Sequence, residues 1–259
     1  MNLPEPRPTS FDLRVRLCSV PIRIHPLFWF SIAVLGLRYY ADPEAGGVGY
    51  FAFWMLAGLA SVLLHALGQA FVGRLFGMRG GIVLSGLGSM ILGVDSLPRC
   101  WQRIVVLLTG PVVSFLVVGV IWELTAITSF PATLSDWGWQ SPVATGAAIL
   151  VRINLAWGLL NVLPLWPLAG GRIAFSIGEA LLGRKGLIAA AVLSLGATAL
   201  LSVWVVIEMS WHLEFHYDPR YLLHLEEFSI LLLFCFILWL RSFKILWPEN
   251  ISNEETAAY

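Results

Sequence analysis

One apolar stretch, residues 61–78 (SVLLHALGQAFVGRLFGM), contains the residue types and spacing that could do chemistry. His65 and Gln69 stand four residues apart, so at about 3.6 residues per turn they share one face of a helix. The pattern H-E-x-x-H would place two zinc ligands and a general base on such a helix. Here Ala66 stands in place of the glutamate, and Gln69 stands in place of the second histidine. The spacing of a metal site is therefore present, while most of its chemistry is missing.

Composition places this helix in a membrane. The chain is 58% hydrophobic and only 12% charged, with a mean hydropathy of +0.79, which is typical of an integral membrane protein surrounded by lipid. Its formal net charge of zero argues against nucleic acid as a partner, because a phosphate polymer needs a clustered basic face. The three cysteines are odd in number and widely separated, so the sequence offers no disulfide framework and no CxxC metal knuckle.

Apolar runs along the chain predict an all-α polytopic membrane protein with about six transmembrane helices. The glycine-rich residues 77–98 predict a small β-hairpin between the second and third spans. Residues 170–185 form an amphipathic stretch after the fourth. The predicted spans are 27–40, 49–75, 100–124, 142–162, 187–208 and 228–247. We therefore divide the chain into an amino-terminal segment (1–25), a membrane core (26–185), two additional transmembrane helices (186–248) and a tail (249–259).

The distribution of basic residues predicts the orientation. Most of the 16 lysines and arginines fall on one side if both termini are cytoplasmic, as the positive-inside rule requires. In a bacterium this would be the cytoplasmic membrane.

Four motifs in a fixed order carry a resemblance to a known family. They are the HALGQ helix, the glycine-rich hairpin, TGPVVS at 109–114, and NVLPLWPLAGGR at 161–172. Together they resemble the site-2 protease family of intramembrane zinc metalloproteases over roughly residues 11–185. In that family the last motif reads N-x-x-P-x-x-P-L-D-G-G. Asn161, Gly170 and Gly171 match it, but Ala169 replaces its aspartate.

The resemblance assigns a role to each position. It makes His65, Gln69 and Ala169 the zinc ligands and Ala66 the general base. Catalytic zinc needs three protein ligands and a carboxylate to accept the proton of its water. An alanine methyl can do neither, and a neutral amide is a poor zinc ligand. The sequence therefore predicts a pseudoprotease with a degenerate site and no cofactor, although the active family uses zinc.

A pseudoprotease of this kind would bind a transmembrane protein without cleaving it. The edge of the hairpin, residues 80–94, could hold an extended client segment by main-chain hydrogen bonds. Asn154 and Asn161, both on the fourth predicted span, are candidate substrate-binding residues by resemblance. A structural interpretation is also open, in which Arg152, Asn154 and Asn161 face the bundle interior and join neighbouring helices.

Three other interpretations remain. The chain could be an active zinc protease with replacement ligands, for example His65 with Asp95 or Cys100, and His212 with His216 forms a second candidate metal pair. It could be a laboratory-inactivated protease. It could also be a channel or transporter that uses the polar groups of Arg152, Asn154 and His65.

Overall fold

The computed structural model describes residues 5–17, 19–41, 47–86, 88–127, 142–215 and 232–243. These are predominantly helical, with one small sheet. The helices are α1 (Pro26–Leu35), α2 (Leu37–Ala41), α3 (Val48–Leu75), α4 (Cys100–Ile127), α5 (Pro142–Val162), α6 (Ala169–Leu182), α7 (Arg184–Phe215) and α8 (Leu232–Phe243). The strands are β1 (Leu13–Leu17), β2 (Val20–Ile24), β3 (Ile82–Ser85) and β4 (Gly88–Ile91), and a short 3-10 helix follows at Val94–Ser96.

Four of the described helices are long and apolar enough to cross a membrane: α3, α4, α5 and α7. They correspond to the second, third, fourth and fifth predicted spans. The first predicted span is divided at Gly36 into α1 and α2. Glycine at this position lets the indole of Trp54 pack closely, since a side chain there would overlap it. Helices α1 and α8 are apolar but shorter than a full span, so the count of six stays a prediction.

The sheet is larger than the predicted hairpin. Strands β3 and β4 pair antiparallel between α3 and α4, and β2 pairs in parallel with β3. Strand β1 completes the order β1-β2-β3-β4. Residues 1–25, which the sequence analysis sets apart from the core, thus supply half of the sheet. The alternation of apolar residues in LRVRL and VPIRI is the signal that could have predicted these strands.

The main core lies between the sheet and the helix that contains His65. Ile22, Ile82 and Leu84 from the sheet join one buried cluster with Ala66 of α3 and Leu107 of α4. Helix α3 packs along α4, where Gly68 and Gly110 permit the close approach, since a side chain at either position would overlap the neighbouring helix. This packing fixes the face of α3 that carries the candidate site.

Candidate functional site

The three positions predicted as metal ligands lie around one cavity of about 320 Å³. His65 and Gln69 reach it from α3, and Ala169 reaches it from the start of α6. Strand β4, the start of α1 and one face of α8 provide further walls. The structure thus brings together residues that are a hundred positions apart in sequence.

The imidazole of His65 is almost fully enclosed, with 1% of its surface exposed. Its Nδ1 lies 3.0 Å from the hydroxyl oxygen of Ser114. The ring meets that of Trp157 edge to face, with 6.0 Å between centroids. The indole N–H of Trp157 is buried and has no acceptor among the described residues. These contacts hold the one competent metal ligand of the motif in a fixed orientation.

Gln69 performs a structural task at the position of the second ligand. Its side-chain nitrogen donates a 3.0 Å hydrogen bond to the carbonyl oxygen of Leu107. That carbonyl would normally accept from the residue four positions later, which is Pro111 within α4. Because proline has no backbone N–H, the carbonyl lacks its usual donor within its own helix. The amide of Gln69 therefore satisfies a buried acceptor that Pro111 leaves open.

The motif at the start of α6 is held together by Asn161. Its side-chain oxygen accepts from the backbone N–H of Ala169 at 3.3 Å, and its nitrogen donates to the carbonyl of Trp157 at 2.9 Å. A Cβ at Gly170 or Gly171 would overlap the backbone of residues 162–166. The side chain at 169 is a buried methyl group on the cavity wall. These residues build the turn that places position 169 on the wall of the cavity that His65 also lines.

The other predicted polar residues of α5 lie on different faces. Asn154 is buried and donates to the hydroxyl of Ser61 at 2.8 Å and to the carbonyl of Leu150 at 2.9 Å. It joins α5 to α3 and does not line the cavity. Arg152 is exposed, so the expectation that it faces the bundle interior is wrong. Two residues span about 200° of a helix, so Arg152 and Asn154 cannot both face inward.

The donors around the cavity do not fit a zinc ion. The three motif positions supply one imidazole, one amide already bonded to α4 and one methyl group, whereas catalytic zinc takes three protein ligands. Among the described residues no three His, Cys, Asp or Glu side chains are grouped as metal ligands. Asp95 accepts from Arg172 at 3.4 Å, and the thiol of Cys100 donates to the carbonyl of Ser176 at 3.3 Å. His216 and the side chain of His212 lie outside the described residues.

Ala66, predicted at the position of the general base, is fully buried. It follows His65 by one residue and packs into the core cluster between α3 and the sheet. It is not part of the cavity wall.

Strand β4 presents an open edge to the cavity. The N–H of Leu92 donates to the carbonyl of Gly81, so the next pairs to exchange hydrogen bonds are Met90 with Val83 and Gly88 with Ser85. The backbone groups of Ser89 and Ile91 therefore point away from β3. The outward carbonyl of Ile91 accepts from Arg172 at 3.2 Å, while Ser89 has no backbone partner among the described residues.

Arg172 is a site residue that the sequence reasoning did not single out. Its guanidinium is 6% exposed and joins the end of β4 to Asp95 and to α6. Burial lowers the pKa of this group from its ordinary value, and the neighbouring Asp95 carboxylate opposes that shift. Its place directly after the motif glycines was the available signal.

Comparison with known proteins agrees with the motifs. No family model matches the chain. A zinc metalloprotease of Methanocaldococcus jannaschii is 26% identical over 171 residues, which cover 65% of this chain and 46% of that protein. The chain thus spans about half the length of this relative. A solved site-2 protease from the same organism has a TM-score of 0.58 at 20% identity, over 90% of this chain and 94% of that one. The predicted resemblance to the site-2 protease family is confirmed.

Proposed function

From the site-2 protease fold of this chain, we propose that it is a catalytically inactive pseudoprotease that binds a transmembrane protein without cleaving it. One observation carries the proposal: the motif residues with architectural tasks are present, while every position with a chemical task except His65 is replaced. Asn161, Gly170 and Gly171 build the turn at α6. Ala66 and Ala169 have no functional group at the positions of the base and the third ligand.

The state of Gln69 supports loss of zinc rather than use of a weak ligand. Its side-chain nitrogen is held by the carbonyl of Leu107, and the neutral amide oxygen, the one atom it could offer a metal, is a poor zinc ligand beside imidazole. We therefore expect no resident cofactor in this chain, whereas zinc serves the active members of the family that it resembles.

The open edge of β4 is the proposed contact with the client. An extended segment could pair with the free N–H and carbonyl of Ser89, adding a fifth strand to the sheet. The carbonyl of Ile91 is occupied by Arg172, so pairing would be centred on Ser89. Asn161 lines the same cavity and could contact the client backbone, as the resemblance implies.

The client would reach this site within the membrane. We propose six membrane segments, with α1 and α2 forming the first and α8 the core of the sixth, and both termini in the cytoplasm. In a bacterium the protein would lie in the cytoplasmic membrane. The excess of arginine and lysine in the segments assigned to that side supports this orientation.

Metal content tests the inactive site. Zinc would be measured by elemental analysis in the purified native chain and in a triple variant with Ala66→Glu, Gln69→His and Ala169→Asp. We expect little zinc in the native chain and about one ion per chain in the variant, because all three ligand positions on the cavity wall then carry a metal-binding group. Adding His65→Ala to the triple variant should remove that zinc. A stoichiometric ion that survives dialysis of the native protein would instead mean that replacement ligands exist.

Substitution of Ser89 tests the client edge. Ser89→Pro removes an outward N–H without touching the ladder between β3 and β4, because proline is tolerated where its nitrogen faces away from the neighbouring strand. We expect it to reduce co-purification of client membrane proteins, while Ser89→Ala, which retains the N–H, leaves co-purification intact. Identical sets of partners for both variants would contradict binding at this edge.

A further inference from the structure

The charges that line the cavity are all of one sign. Arg172 from α6 and Arg241 from α8 both line it, and among the described residues no aspartate or glutamate does. Asp95 pairs with Arg172 but is 40% exposed and lies outside the cavity. A site that would hold a metal cation in an active relative therefore has the electrostatics of an anion site here.

Among the described residues, Arg241 has fewer hydrogen-bond and ionic partners than Arg172. Leu233, Ile237 and Arg241 follow one another at intervals of four, so they occupy one face of α8, and all three line the cavity. Arg241 is partly buried, and its guanidinium has no hydrogen-bond or ionic partner among the described residues. A cation withdrawn from water without a counter-ion is unfavourable, and an anion in the cavity would remove that penalty.

The neighbouring β4 edge indicates where the anion comes from. Ser85, Ser89 and Ile91 line the same cavity, and the backbone N–H and carbonyl of Ser89 point outward. A lipid phosphate could pair with Arg241 but would leave this donor and acceptor pair without a matching strand. An extended peptide satisfies both groups and can carry a carboxylate on a nearby side chain.

We infer that the cavity selects a client whose extended segment carries an aspartate or glutamate close to the residue that pairs with Ser89. This inference rests on the proposed client binding and adds the chemical class of the client. The guanidinium of Arg241 supplies the positive charge that binds the carboxylate. Arg172 positions the end of β4, since its guanidinium is already bonded to Ile91 and Asp95.

The test uses three synthetic peptides. Each has an apolar helix of about 20 residues, enough to span the bilayer, followed by a Thr/Val-rich extended tail with a central Asp, Asn or Lys. Their affinities for the full chain would be measured by fluorescence energy transfer in phosphatidylcholine nanodiscs. We expect the Asp tail to bind about tenfold more tightly than the Asn tail, as a hydrogen bond to a charged group supports.

Variants of Arg241 separate charge recognition from binding itself. Arg241→Gln should abolish the preference for Asp while leaving the affinity of the Asn tail unchanged. Arg241→Glu should reverse the order, so that the Lys tail binds best. The matched control, Arg79→Gln, removes an exposed arginine that does not line the cavity and should leave every affinity as in the native chain.

Equal affinities of the three tails for the native chain would overturn the selection of a carboxylate while leaving client binding in place. Failure of every tail to bind would count against client binding itself, and with it against this inference. The measurement would be repeated after part of the phosphatidylcholine is replaced by phosphatidylglycerol, and we expect the Asp preference to persist. Its loss would assign the cavity to a lipid phosphate and overturn the proposal.

Discussion

At the scale of single residues, the side chain of Gln69 compensates for the backbone N–H that Pro111 lacks. Pro111 leaves the carbonyl of Leu107 without its helical partner, and the amide of Gln69 replaces the missing donor from the neighbouring helix. The amide thus gives a structural reason for glutamine at a position where the family resemblance expects a histidine. Ser114 and Gly110 complete the surroundings of His65, one by a hydrogen bond and the other by having no side chain.

This pairing predicts an energetic coupling between Gln69 and Pro111. Gln69→Met should lower the free energy of unfolding by about 1–3 kcal/mol, because the carbonyl of Leu107 becomes a buried acceptor without a partner. In a Pro111→Ala background the backbone N–H of residue 111 can donate to that carbonyl. Gln69→Met should then lower the free energy of unfolding by much less. A double-mutant cycle in detergent measures the difference. Equal losses in the two backgrounds would contradict the pairing.

The contact between Gly110 and His65 predicts a second effect. Gly110→Ala should destabilise the protein by about 1–3 kcal/mol, because its methyl group would overlap the imidazole and force α3 and α4 apart. Gly119→Ala on the same helix is the matched control. Its methyl group meets nothing within 4 Å, so it should be neutral or stabilise by up to about 1 kcal/mol. Thermal unfolding of both variants checks this. If Gly110→Ala unfolds at the same temperature as Gly119→Ala or at a higher one, the predicted contact with His65 is wrong.

At the scale of elements, the connections around α6 determine how the site is assembled. Asn161, Gly170 and Gly171 allow the start of α6 to pack against the end of α5. Arg172 then bonds α6 to β4. On its far side α6 crosses α7 where Gly178 and Gly186 touch backbone to backbone. Each contact needs either a particular polar group or the absence of a side chain.

The crossing of α6 and α7 can be tested with two glycines of α7. Gly186→Ala should lower the melting temperature, because the added methyl group would overlap the backbone of Gly178. Gly196→Ala should not lower it, since nothing lies within 4 Å of that position and alanine favours a helix. If Gly186→Ala melts at the native temperature or above, the two helices do not make this contact.

At the scale of the whole molecule, the proposed orientation places the sheet on the cytoplasmic side. The turn between β1 and β2 is bonded to the end of α3, because Arg74 donates to the carbonyl of Ser19 at 2.8 Å. Residues 128–141, which contain no lysine or arginine, would then lie on the outer side.

Labelling of single cysteines tests this orientation. In a background without the native cysteines, Arg16→Cys on exposed β1 should react with a membrane-impermeant maleimide only after the cells are permeabilised. Ser135→Cys should react in intact cells. The opposite pattern would reverse the topology and place the candidate client edge on the outer side.

The sequence by itself determined the class of the protein, its four long helices and the absence of metal-binding side chains at two of the motif positions. Predicted residues 49–75 and 142–162 correspond closely to Val48–Leu75 and Pro142–Val162, because a long apolar run limits both the type and the length of a membrane segment. The absence of a metal-binding or basic group at Ala66 and Ala169 could also be predicted from the sequence, because a methyl group has no lone pair whatever it packs against.

Only the tertiary structure decided which residues meet. Strands β1 and β2 join the sheet through a parallel pairing across about 60 residues, and such pairing depends on the packing of helices between the two strands rather than on a local pattern. The same holds for the outward face of Arg152, the bond between Gln69 and Leu107, and the cavity that Arg172 and Arg241 both line. Local periodicity predicts that a helix or strand has a buried face. Which residues that face contacts depends on the rotation of the element and on residues distant in sequence.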